Sequence, residues 1–163
     1  MENYKQGGAC RACAEKCGEC CCNRNKIILT REEKEFLSLL AATPFLPVCR
    51  FVVKSTQSEH LELIALAPVY LTSQKDSLEE VKEKKALLSG LSNYGLITLD
   101  YDILLENGDY TVYEKSEVYT YFRKTVYTGK IERPDFLFDT PVLETGSLAL
   151  SGLGQEMLER LDI

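Results

Sequence analysis

The stretch SLEEVKEKKALLSGLSNYGLITLDYD, from Ser77 to Asp102, reads as a capped helix that stops at a glycine and turns directly into a strand. Asp76 and Ser77 each have a glutamate three residues on, Glu79 and Glu80, the spacing at which side chains satisfy the orphan amides of a helix start. Gly95 supplies a left-handed stop, and Leu96, Ile97 and Leu99 open an apolar, β-prone run. At about 100° per residue, Val81, Leu87, Leu88, Leu91 and Tyr94 share one broad face. Lys82, Lys85, Ser89 and Asn93 fall on the opposite one. Lys84 lies in the apolar arc and is the one poor fit.

Working toward the N-terminus, Thr30-Arg31-Glu32-Glu33 is a second capping box, and Phe36, Leu37, Leu39 and Leu40 form an apolar stripe. Thr43-Pro44 ends that helix, because a residue before proline avoids helical angles. The spacing predicts a helix over residues 31–42. Residues 48–71 hold two apolar runs, VCRFVVK and LELIALAPVYL, separated by the polar loop Ser55–Glu59. Pro68 is tolerated at a strand edge or bulge and damages a helix interior, so the reading leans to a β-hairpin. A short helix ending near Ala67 is the alternative, since periodicity does not decide short apolar runs.

Toward the C-terminus, Asn107-Gly108-Asp109 is a turn signal. The run SEVYTYFRKTVYT (Ser116–Thr128) is rich in strand-forming residues, yet Val118, Phe122 and Val126 recur at helical spacing and Gly129 offers a stop. Helix is the preferred reading there. Ser147–Leu150 reads as a short strand, and Ser151 caps a last helix with Leu153, Met157, Leu158 and Leu161 on one face.

A helix with a polar outer face, then a glycine, a strand, a later strand and a capped amphipathic helix resembles the winged helix-turn-helix proteins, the MarR-like regulators among them. The resemblance rests on apolar spacing in residues 30–42, 76–102 and 146–161. It implies an α+β fold: a winged-helix-like core interrupted between its wing strands by an excursion from about residue 103 to 145. It also implies DNA binding, with Lys82, Lys85, Ser89, Ser92 and Asn93 on the groove-facing side, where asparagine reads adenine and lysine meets guanine or phosphate. The wing departs from the family in lacking a basic tip. Arg123, Lys124, Lys130 and Arg133 form a second basic patch on the excursion.

Residues 1–26 stand apart from the domain at 27–163. They hold six of the seven cysteines and few large apolar side chains, and five Lys/Arg against three Glu make them about +2, leaving about −8 elsewhere. Such a segment builds no hydrophobic core and gains order only from what it binds. Cys10, Cys13, Cys17 and Cys20 form two chelating pairs, with Cys21 and Cys22 adjoining. Thiolates at this spacing bind zinc, or alternatively an iron–sulfur cluster. A disordered reactive tail and lipid or redox modification are the other readings. Cys13-x3-Cys17-x2-Cys20 matches the radical-SAM cluster spacing, but too little chain follows for that barrel. Cys49, in PVCRFVV, reads as a buried small hydrophobe.

The 163 residues, 45% apolar, suit a globular domain, and the formal charge of −6 disfavours indiscriminate binding to nucleic acid. With no apolar run approaching the roughly 18–20 residues of a membrane span and no signal region, the expectation is a cytoplasmic protein without a membrane partner. His60 is the single histidine, beside Glu59 and Glu62, and reads as a surface residue. GxSxG, P-loop, GxGxxG and HExxH patterns are absent from the sequence, so catalysis is not expected. The leading expectation is a winged-helix transcriptional regulator, metal- or redox-responsive through its cysteines. The alternative is a non-catalytic protein-interaction module on the same core, whose tyrosines (Tyr110, Tyr113, Tyr119, Tyr121, Tyr127) form a binding surface or else a satellite core. A homodimer is expected by fold analogy, and an iron–sulfur enzyme or carrier is the third reading.

Overall fold

The capping boxes read from the sequence form. The computed structural model describes residues 27–161. Helix α1 (Arg31–Ala42) opens with Glu33 N–H donating to Thr30 Oγ1 at 3.2 Å and Thr30 N–H donating to the Glu33 carboxylate at 2.7 Å. Helix α2 (Leu78–Asn93) repeats the pattern with Ser77 and Glu80. Asp76 takes another role: its carboxylate accepts from Thr72 N–H at 2.8 Å, within the turn ahead of the helix. After α2, Gly95 adopts φ 72°, the left-handed stop.

The strands are β1 (Phe45–Lys54), β2 (Glu62–Val69), β3 (Ile97–Asp100) and β4 (Thr140–Leu150), in one antiparallel sheet of order β2-β1-β4-β3. Residues 48–71 are thus a hairpin. The two strands that the resemblance reads as a wing do pair, antiparallel, from Ile97 opposite Leu150 to Asp100 opposite Ser147. β4 begins well before the expected Ser147, so the last residues of the excursion belong to the sheet. Ten residues of β4 pair with β1, while β3 covers only the last four. Pro141 therefore lies where β4 has a partner on one side alone, the position at which a missing N–H is tolerated.

The excursion carries α3 (Thr111–Glu114) and α4 (Glu117–Glu132). Helix is the outcome for residues 117–128, capped by Ser116, whose hydroxyl accepts from Tyr119 N–H at 3.1 Å. Gly129 does not stop it. No left-handed turn is imposed there, and the helix runs on until Arg133 takes φ −134° and ψ 80° ahead of Pro134. Helix α5 (Gly152–Arg160) starts at the predicted cap Ser151.

Side chains alternate across the sheet, and each face carries its own core. One face holds Leu37, Leu40, Leu88, Leu91, Leu96, Leu148, Leu158 and Val48, joining α1, α2 and α5 to the strands. The other holds Cys49, Phe51, Val69, Leu71, Tyr113 and Val118, joining α3 and α4. Val81, in the first turns of α2, belongs to this second core, so α2 serves both. No helix among the described residues is long and apolar enough to cross a membrane.

Candidate functional site

Helix α2 brings the five predicted DNA-facing residues to one side. Lys82 and Asn93 are exposed, while Lys85, Ser89 and Ser92 are half-buried. Lys82 lies 3.4 Å from Glu79, one turn back. Lys84, the misfit of the sequence pattern, turns away from that side. Its ammonium donates to Asp76 Oδ2 at 2.7 Å and Thr72 Oγ1 at 2.9 Å, with the Tyr70 ring 5.9 Å away. Burial pushes the Asp76 carboxyl up, but the bonds from Lys84, Thr72 and Ser73 outweigh it and hold its pKa below the usual value. Lys84 thus completes a local ion pair beneath the helix and is absent from the outward face. The chain reaches α2 straight from β2 through residues 70–77.

The six cysteines at positions 10, 13, 17, 20, 21 and 22 lie outside the described residues. Among the described residues no group of three or more His, Cys, Asp or Glu is arranged to hold a metal. Cys49 is fully buried, and burial raises its thiol pKa far above the ordinary value. It is the small hydrophobe the sequence suggested, in the protonated, unreactive form. His60 is exposed in the β1–β2 loop.

The tyrosines divide. Tyr113 is fully buried, and its hydroxyl donates to Pro47 O at 2.7 Å. Tyr119 and Phe122 place their rings 5.3 and 5.1 Å from that of Phe51. Tyr121 and Tyr127 face outward on α4, beside exposed Arg123, Lys124 and Lys130.

A cluster that sequence reasoning missed sits on the first face of the sheet. Arg50 Nε donates to Glu144 Oε2 at 2.6 Å, Lys54 Nζ reaches Glu144 Oε1 at 2.9 Å, and Glu62 stands 3.8 Å from Lys54. The Arg50 guanidinium lies 4.7 Å from the centre of the Tyr101 ring. Burial raises the Glu144 carboxyl, but Lys54 and Arg50 more than reverse it, so Glu144 stays anionic with both oxygens engaged. Burial pushes the Tyr101 phenol up to about 12, against the opposing pull of Arg50. Neither group is poised to take a proton at neutral pH. Arg50 and Glu144 are 94 residues apart, so only the β1–β4 register brings them together.

Exposed apolar surface gathers at β2. Every residue from Leu61 to Ala65 is exposed, with Leu61 at 39%, Leu63 at 49% and Ile64 at 50%. β2 bonds to β1 alone, so its outer edge has no partner strand among the described residues. An open cleft of about 460 Å³ lies elsewhere, lined chiefly by Leu40, Pro44, Phe45, Leu150, Gln155 and Leu158.

No family model matches the chain, and no curated protein matches it. A solved structure to which it is similar is that of an uncharacterized protein from the hydrocarbon-degrading marine bacterium Alcanivorax borkumensis SK2. The two share 18% identity over 83% of this chain and 87% of that one, with a TM-score of 0.46.

Proposed function

We propose that the protein is a non-catalytic protein-interaction module of the cytoplasm, built on a winged-helix-like core. The observation that carries this reading is the outer edge of β2, which offers unpaired backbone groups flanked by exposed Leu61, Leu63 and Ile64. An edge of this kind recruits another strand: backbone bonds supply affinity and the alternating side chains supply specificity. Selection from a displayed library of random peptides tests it. Extended, β-prone peptides should be enriched, and Ile64→Lys should abolish their binding. Enrichment of nothing would remove the reading.

DNA binding is the second reading. It is favoured by Lys82, Lys85, Ser89, Ser92 and Asn93 lying on one side of α2, with the β3–β4 pair following as a wing would. Against it stand the pairing of Lys82 with Glu79 and a strand, β2, where the family's preceding helix would be. Selection on random duplexes at low salt distinguishes the two. Enriched duplexes whose binding falls steeply with salt, and falls further in Lys82→Ala and Lys85→Ala, would put DNA first.

The N-terminal cysteines form a separate metal- or redox-responsive element in this proposal. Cys10, Cys13, Cys17 and Cys20 hold one zinc ion, with Cys21 or Cys22 as substitutes and an iron–sulfur cluster as the alternative. Protein purified anaerobically should contain stoichiometric metal, and replacing Cys10 and Cys13 by serine should remove it. Metal that survives the double replacement would rule out this ligand set.

A further inference from the structure

We propose that β2 pairs with β2 of a second copy of this chain, antiparallel about a two-fold axis at Leu63, joining two four-stranded sheets into one of eight strands. The inference rests on the protein-binding reading of the β2 edge and names its partner.

The backbone arrangement comes first. Ser55 N–H donates to Leu61 O, and the register runs on through Lys54 opposite Glu62, Val53 opposite Leu63 and Val52 opposite Ile64. Antiparallel ladders alternate bonded and non-bonded pairs, so Leu61 and Leu63 direct their backbone groups to β1. Glu62 and Ile64 direct theirs outward. A second strand can therefore bond at Glu62 and Ile64 alone within this stretch.

Side-chain chemistry then selects the register. With the axis at Leu63, Glu62 of each copy stands opposite Ile64 of the other, and the outward-bonding residues meet as bonded pairs. Leu63 meets Leu63 at the close, non-bonded spacing, where cross-strand apolar pairs gain most. Leu61 meets Ala65. An axis at Glu62 would set two carboxylates face to face, a destabilising arrangement. In the Leu63 register each Glu62 keeps Lys54 of its own chain at 3.8 Å, so no like charges oppose one another. The segment LELIA is thus complementary to its own reversed copy.

The protections of this edge are slight. Residues 61–65 contain no lysine and no proline, Glu62 is their one charge, and the nearer register shift of the hairpin leaves Ala65, at the end of the segment, without a β1 partner. The opposite outer strand, β3, is four residues long with Ile97 buried. A five-residue edge covers much less than the roughly 800 Å² per partner of a stable interface, so the dimer is weak and follows protein concentration.

Sedimentation velocity of the full chain, kept reduced and anaerobic, tests the proposal. The dimer fraction should rise with concentration, and amide exchange at Glu62 and Ile64 should slow in parallel. Leu63→Lys places two cations on the axis and should weaken association roughly a hundred-fold. Ile64→Lys, on the other face of the sheet, should weaken it as well. Both positions are about half exposed, so unchanged far-ultraviolet circular dichroism is expected and separates lost pairing from lost folding. A wild-type chain that stays monomeric at every concentration, or a dimer indifferent to both lysines, would overturn the proposal. If such a monomer still captures selected strand peptides through β2, the second copy is excluded and the interaction module stands. If it captures none, both fall.

Discussion

The two faces of the sheet are stabilised by different means. On the first, leucines of α1, α2, α5 and the strands close together, and each helix brings its own cap and apolar stripe. On the second, α4 has sixteen residues but buries only Val118, and it lies against the sheet through the stacked rings of Tyr119, Phe122 and Phe51. Polar tethers do much of the remaining work there. The Tyr113 hydroxyl bonds Pro47 O, the Tyr110 hydroxyl bonds Gly146 O at 2.7 Å, and the Asp139 carboxylate takes both the amide and the hydroxyl of Thr56. One side is secured by continuous aliphatic burial, the other by an aromatic stack pinned at a few points.

Truncation should separate the two most sharply. Leu88→Ala removes a fully buried side chain from the first core and should cost about 3 kcal/mol, lowering the denaturant midpoint for the whole domain. Phe122→Ala, half-buried, should cost about 2 kcal/mol, with faster amide exchange confined mainly to α4. Equal, global loss of protection in both variants would erase the distinction.

A smaller effect probes the tethers. The Thr56 hydroxyl bond, above all, lowers the Asp139 pKa from 3.8 to about 2, helped by Thr140, the Thr56 amide and Lys130 and opposed by burial. A carboxyl with a depressed folded pKa contributes its full stability above the unfolded value and loses it as pH falls through the folded one. Acidification from about pH 4 to 2 should therefore loosen the join between the β1–β2 loop and the start of β4. Asp139→Asn should be less stable at neutral pH and show a shallower decline over that window, read from denaturant midpoints. An unchanged slope would place the acid sensitivity elsewhere.

The same division governs what sequence reading could reach. The bounds of α1, the cap of α2 and the hairpin over 48–71 rest on local signals, whereas the pairing of Ile97–Asp100 with Ser147–Leu150 follows from the resemblance; the structure contains all four. Gly129 misled because a glycine permits a stop without demanding one. The early start of β4 was hidden because Pro141 and the polar residues around it become strand only through β1. Lys84 looked anomalous because its partner, Asp76, precedes the helix. The Arg50–Glu144–Lys54 cluster is a property of register, with no trace along the chain. The β2 edge was legible as an apolar run, but its exposure follows from being outermost in the sheet.

Gly146 carries one further consequence. A side-chain carbon there would fall on the Asp100 carbonyl oxygen and against Tyr101 Cα, so the chain leaves β3 at a crossing pressed against the middle of β4. The excursion re-enters the sheet further back, at Thr140, and β1 holds that end. Residues 103–109, which belong to neither core, can therefore grow or shrink in number without stretching the β3–β4 pair. A polypeptide cut within that stretch would leave the crossing in register. New termini, or a domain grafted between residues 103 and 109, would meet the least resistance from the sheet.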